Sequence, residues 1–206
     1  MIKLRSSPTP LYPYRTVLLS EHGTIQVWDL GAEGTVSPRS RRSYRGDGRG
    51  GVRLSGTIRI EAEAWQTMLA HACRGYPVEC CGALLGRLDA GQKTVTLAVP
   101  LENRFPGPQQ RRYAIQPEDL LEADRAARRQ GLRLLGIYHS HPDCEAYFSA
   151  TDLENSCPWY SFVVLSIRGG RFDHARSWRP NAEQSAAEEE ELAHPTGRTE
   201  PELTPT

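Results

Sequence analysis

The apolar run Leu132-Arg133-Leu134-Leu135-Gly136-Ile137-Tyr138 passes without a break into His139-Ser140-His141-Pro142. A short, nearly continuous apolar run of this kind is the pattern of a buried strand, and such a strand belongs inside a sheet that other elements cover. Side chains alternate along a strand, so His139 and His141 project from one face and can converge on one point. The fold must therefore bring the C-terminal end of an interior strand to a polar site. Open α/β sheets usually place their chemistry at such strand ends.

Asp152 follows a short loop later and supplies a hard oxygen ligand. Two nitrogens and one carboxylate, with a fourth position left to water, make the composition of a catalytic zinc site rather than a structural one. A plainer reading stands beside this one. Ser149-Ala150-Thr151-Asp152 also fits a helix N-cap with an acid at N3, a stabilising device without catalytic meaning. A third feature lies upstream, where Pro77-Val78-Glu79-Cys80-Cys81-Gly82-Ala83-Leu84-Leu85-Gly86 puts one carboxylate at the head of a glycine-punctuated apolar strand. Glu79 has no obvious packing role there.

In order and spacing, Glu79 with Gly82 and Gly86, then His139-x-His141-Pro142-x6-Ser149-x2-Asp152, resembles the JAMM motif of the MPN+ (Mov34/MPN/PAD-like) zinc metalloprotease family. The resemblance covers roughly residues 56 to 180. It implies an α/β fold, an MPN-type mixed β-sheet flanked by helices on both faces. It implies one zinc ion per chain, held by His139, His141 and Asp152, with Glu79 as the acid/base that handles the attacking water. Ser149 becomes a hydrogen-bond donor to the developing oxyanion. No motif residue is missing, which argues against the inactive branch of the family.

Short bacterial relatives of this kind imply a protein substrate: a ubiquitin-like or sulfur-carrier protein, cleaved after a C-terminal Gly-Gly or relieved of a carried amino acid. An extended tail would lie along a sheet edge. The long insertions of ubiquitin-chain-specific relatives are absent. Two other classes remain: a non-catalytic zinc-containing MPN interaction module, and a nucleic-acid or DNA-repair-associated JAMM protein. The chemistry is coherent without the resemblance. Zinc brings the pKa of bound water to about 7, and a nearby carboxylate can carry the proton to the leaving amine. His-Glu-x-x-His is absent, as is the Pro-Cys-x-x-Cys of zinc deaminases.

The 206 residues suit one domain with a proper core. Net charge is zero but unevenly spread, with nine basic against four acidic residues in 1–55 and seven glutamates against Arg198 in 181–206. The five cysteines lack Cys-x-x-Cys spacing and do not form a disulfide framework. Unpaired thiols, no signal-peptide pattern and no membrane-length apolar run imply a soluble cytoplasmic protein, with no membrane partner. Cys80 and Cys81, on alternating faces, suit small core residues. Cys144, inside the motif loop, is the thiol most exposed to side chemistry.

Residues 1–55 are expected to be a largely disordered Arg/Gly/Pro-rich extension, with the Ser37–Gly51 stretch a solvated linker rather than a nucleic-acid-binding arm. A weak hairpin is conceivable at Thr16–Leu19 and Thr24–Trp28. Residues 56–180 form the catalytic domain: a strand at Thr57–Ile60, a helix at Glu61–Cys73 with one face of Ala64, Trp65, Met68, Leu69 and Ala72, strands at Cys81–Leu88, Thr94–Val99 and Arg112–Ile115, and a helix at Pro117–Gln130. The strand Leu132–Tyr138 and a helix from Ala150 to about Ser156 come next, followed by a hairpin of Ser161–Ile167 and Phe172–Trp178 turning at Gly169-Gly170. Residues 181–206 are expected to be an acidic disordered tail that the fold can do without.

Overall fold

The strand that carries the two histidines lies in the middle of a sheet, and the computed structural model, which describes residues 15–19, 25–29 and 56–195, shows how that sheet is covered. The chain divides into two units, Met1–Gly51 and Val52–Thr206. In the first, β1 (Arg15–Leu19) and β2 (Ile25–Asp29) pair antiparallel from Arg15 opposite Asp29 to Leu19 opposite Ile25. The Arg/Gly-rich stretch and the final residues 196–206 lie outside the described residues.

In the second unit the order is β3 (Thr57–Ile60), α1 (Ala62–Gly75), β4 (Cys81–Asp89), β5 (Gln92–Leu101), α2 (Pro117–Arg129), β6 (Arg133–Pro142), α3 (Ala150–Glu154), β7 (Ser161–Arg168), β8 (Arg171–Pro180) and β9 (Ala187–Ala193). The seven strands are mixed in direction and form a closed barrel in the order β3-β5-β4-β6-β7-β8-β9, sealed by the parallel pair β3–β9. Closure gives the expected mixed sheet a barrel form, although β5 beyond Val95 is paired on its β4 side only. No helix among the described residues is long and apolar enough to cross a membrane.

β4 is buried from Cys81 to Gly86, as a central strand requires, and its alternate residues serve two clusters. Leu84 joins the larger one with Ala64, Trp65, Met68 and Ala72 of α1, together with Tyr138, Val163, Leu165 and Ile167. Ala83 and Leu85 meet Ala123 and Ala127 of α2. The helical face predicted for α1 is thus the one that packs. Gly82 has a steric reason. A Cβ there would run into the Tyr138 ring and the Val99 carbonyl, so the glycine lets the buried tyrosine lie flat across β4.

Two expectations fail. Arg112–Ile115 forms no strand, because its backbone bonds are taken by a loop: Asn103 Nδ2 donates to the Arg112 carbonyl, Asn103 Oδ1 accepts from the Ala114 N–H, and Arg104 N–H donates to the Ala114 carbonyl. The acidic tail is also ordered where it is described. Residues 187–193 are β9, paired with both β3 and β8. The reason is Glu190, whose side chain is buried and accepts from Ser161 Oγ at 2.5 Å and Ser177 Oγ at 3.0 Å. Lys93 Nζ donates in turn to Ser161 Oγ at 2.6 Å. Burial pushes the Lys93 ammonium down to about 8, against the opposing pull of Glu190. The folded domain therefore does not end at residue 180.

Candidate functional site

β6 does not stop at Tyr138. It stays paired with β7 through His139, Ser140, His141 and Pro142, opposite Val164 to Ile167, while Cys81 of β4 faces His139 on the other side. The strand alternation is thereby kept through both histidines, and their Nε2 atoms lie 3.2 Å apart.

Asp152 comes from the first turn of α3. Ser149 caps this helix: its N–H and Oγ both donate to Asp152 Oδ2, at 2.8 and 2.5 Å, and the Asp152 N–H donates back to Ser149 Oγ at 3.1 Å. The plain capping role of Ser149-x-x-Asp152 and its part in the cluster are therefore compatible. The cap occupies Oδ2 and leaves Oδ1 facing His139 Nε2 at 3.5 Å. In this geometry the Ser149 hydroxyl proton is committed to Asp152.

The three ligand atoms fall within 4.8 Å of one another and all three residues are buried. Tetrahedral zinc with bonds of about 2.0–2.1 Å spaces its donors about 3.3–3.4 Å apart. The observed 3.2 and 3.5 Å bracket that figure, so the donor set fits the ion.

The two imidazoles are supported differently. His141 Nδ1 lies 2.8 Å from the Glu145 carbonyl, which puts a proton on Nδ1 and leaves the Nε2 lone pair free. That carbonyl belongs to a loop stapled to the barrel, because Ser166 Oγ donates to the Cys144 carbonyl at 2.7 Å and Trp178 Nε1 to the Ala146 carbonyl at 3.1 Å. His139 is 0 % exposed, and its Nδ1 has no hydrogen-bond partner. Burial holds His139 down near 4, with Asp152 pulling up and His141 pushing further down. It is neutral at pH 7, as a ligand must be. Tyr113 stacks on His139 with centroids 4.6 Å apart and planes 28° apart, and Tyr147 tilts against His141 at 4.9 Å.

Glu79 stands at the mouth of β4, 7 % exposed. Its N–H donates to the Gln109 carbonyl at 2.8 Å, and its carbonyl accepts from Asn103 Nδ2 at 2.9 Å. Burial first, and the Asp152 charge second, push its carboxyl up to about 8. The structure thus brings together His139, His141 and Asp152, with Glu79 within electrostatic reach. Cys80 and Cys81 are buried and protonated, raised by burial to about 11 and about 12, whereas Cys144 is exposed.

Sequence reasoning missed Ser140, Asn103, Tyr113 and the Glu145 carbonyl. Ser140 alternates away from the site, and the other three act from loops whose contacts no spacing encodes. An asparagine in a proline-rich loop was the one available signal, since Asn commonly bonds neighbouring backbone.

The chain matches a family model described as prokaryotic homologs of the JAB domain, over residues 61–181. It is 35% identical over 125 residues to a desampylase of Haloferax volcanii, covering 58% of this chain and 88% of that protein. It is 37% identical over 102 residues to a probable TtuB-protein conjugate cleaving protease of Thermus thermophilus, covering 50% of this chain and 65% of the relative. The fold is similar to a solution structure of a Desulfitobacterium hafniense protein, with a TM-score of 0.59, 29% identity, and coverage of 67% of this chain and 92% of the other.

Proposed function

Because the chain belongs to the prokaryotic family of JAB-domain homologues, we propose that it is a zinc-dependent peptidase or isopeptidase that cleaves an amide bond at the C-terminal Gly-Gly of a ubiquitin-like or sulfur-carrier protein. The observation that carries this reading is the convergence of His139, His141 and Asp152 within 4.8 Å. The names of the relatives, a desampylase and a conjugate-cleaving protease, supply the substrate class.

Zinc at this centre would polarise the scissile carbonyl and make a water molecule acidic enough to attack near neutral pH. The protein's own residues do the rest. His139, held down near 4 by burial, enters neutral, so no proton has to leave before it ligates. Asp152 would hold the ion with Oδ1, the oxygen that the α3 cap leaves free. Glu79 accepts the proton of the attacking water and returns it to the leaving amine. A carboxyl lifted to about 8 by burial and by Asp152 is a stronger base than an ordinary carboxylate and holds the proton it takes. Ser149 has two tasks in sequence. It orients Asp152 at rest, and its hydroxyl turns toward the oxyanion while the Ser149 N–H keeps its hold on Oδ2. Tyr147, half exposed against His141, lines the approach of the extended tail. The catalytic domain runs from Gly56 through β9 rather than ending at 180.

The test is hydrolysis of a fusion joined after the Gly-Gly of a small ubiquitin-like carrier. Cleavage should follow zinc content, stop with a chelator, and return with added zinc. A folded, metal-free protein that still cleaves the fusion would end the proposal.

A further inference from the structure

The two histidines of the centre are held unequally, and the difference points to a residue outside the motif. A metal-bound imidazole almost always anchors its second nitrogen on an acceptor, which fixes the ring's rotation as well as its tautomer. His141 has that anchor in the Glu145 carbonyl. His139, fully buried, has none, and its Nδ1 is without a partner. Rotation about the bond joining ring and Cβ is otherwise soft for histidine. What lies against the ring instead is Tyr113, nearly parallel to it at 4.6 Å.

We propose that Tyr113 is a positioning residue of the metal centre, its aromatic plane fixing the rotation of His139 in place of the missing hydrogen bond. The inference rests on the metallopeptidase reading and deepens it. A plate can hold a ring only if it is itself held, and Tyr113 is. Its neighbours on both sides are tied to one side chain: Asn103 Nδ2 donates to the Arg112 carbonyl at 3.0 Å, and Asn103 Oδ1 accepts from the Ala114 N–H at 3.2 Å. The same Nδ2 donates to the Glu79 carbonyl at 2.9 Å. Gln109 closes the loop from the other end, receiving the Glu79 N–H on its carbonyl and donating through Nε2 to the Asn103 and Phe105 carbonyls. The tyrosine cannot drift off His139 without dragging the backbone of the acid/base. The loop after β5 thus fixes one metal ligand and the proton carrier together.

The experiment is zinc affinity, measured by competition with a chromophoric chelator at pH 7, on the full chain and on Tyr113→Ala, Tyr113→Phe, Tyr113→Leu and His141→Ala. Removing an outer support of this kind typically costs 10–100-fold in metal affinity, and Tyr113→Ala should lose about that much, while Tyr113→Phe, which keeps the plane, should stay within about threefold. Tyr113→Leu fills the space without a plane and should weaken binding as Ala does, so a poorly folded Ala variant does not stall the test. The cobalt-substituted protein adds a second readout, because a loosened His139 shifts the visible absorption band in Ala and Leu but not in Phe. Affinity and spectrum unchanged in both Ala and Leu would overturn the proposal, and so would Phe weakening as much as Ala, which would give the role to the hydroxyl. If the wild type holds zinc no better than His141→Ala, the metallopeptidase reading itself falls, and this inference with it.

Discussion

Cys80 and Ser140 exchange two hydrogen bonds: the Cys80 N–H donates to Ser140 Oγ at 2.9 Å, and the Ser140 N–H donates to the Cys80 carbonyl at 3.1 Å. Each residue flanks a working group, Cys80 next to Glu79 and Ser140 between the two histidines. This clasp sets the distance between Glu79 and the two histidines.

Ser140→Ala leaves the buried Cys80 N–H without its side-chain acceptor. Stability should fall by about 1–3 kcal/mol, read as a lower urea midpoint. Zinc content should be unchanged and kcat should drop, because Glu79 moves and the ligands do not. Zinc loss in a folded Ser140→Ala protein would count against this division of labour.

Glu79→Gln should keep zinc and fold and lose about 10²–10⁴-fold in kcat, since it removes the proton acceptor and no ligand. A wild-type rate in Glu79→Gln would make Glu79 an ordinary strand-end residue.

The same substitution has a pH signature in the metal-free protein. Unfolded, Glu79 loses its proton around the ordinary 4.5; folded, burial and Asp152 keep it to about 8. Between those values the folded chain binds more protons than the unfolded one, so this group makes stability fall as pH rises from about 4.5 to about 8. Glu79→Gln should flatten that slope in thermal melts of the chelator-treated protein, and an unchanged slope would assign it to other groups.

A chain ending at Pro180 loses β9 and should melt well below the full chain, although it keeps every motif residue. Glu190→Ala should by itself cost about 1–3 kcal/mol, because the buried Ser161 and Ser177 hydroxyls lose their acceptor and Arg179, 3.9 Å away, loses its carboxylate. An unchanged melting temperature in both proteins would mean that barrel closure contributes nothing.

Zinc at 100 times its Kd should raise unfolding free energy by about 2.7 kcal/mol. Melting temperature should rise with free zinc in the wild type and stay flat in His141→Ala.

The motif was legible because its chemistry is local or rides on strand alternation. His139 and His141 sit two apart on a strand whose apolar run announces it, and Ser149 and Asp152 lie three apart across a helix start. Glu79 stood out as a charge with no packing role. The supports were illegible for the opposite reason. Ser140 meets Cys80 across sixty positions, and Asn103 meets Glu79 across twenty-four. β9 was misread for a related cause. Four successive glutamates show no alternation, and what makes a strand of them is the pairing of Glu190 with Ser161 and Ser177, Glu189 with Arg176 and Glu191 with Thr57. The Arg112–Ile115 run has strand-like composition, but the Arg112 and Ala114 carbonyls and the Ala114 N–H are claimed by Asn103 and Arg104 before any strand can pair with them.

The parallel seam between β3 and β9 has a mechanical consequence. Thr57 lies opposite Glu191 and Arg59 opposite Ala193, so the barrel's first strand begins at one end of the seam and its last strand finishes at the other. Tension applied across those two points slides the strands past each other and loads the evenly spaced parallel hydrogen bonds together rather than one after another. An unfolding machine that grips the acidic end and pulls therefore meets its stiffest resistance at the first step, with the Glu190 cluster buried directly behind the seam.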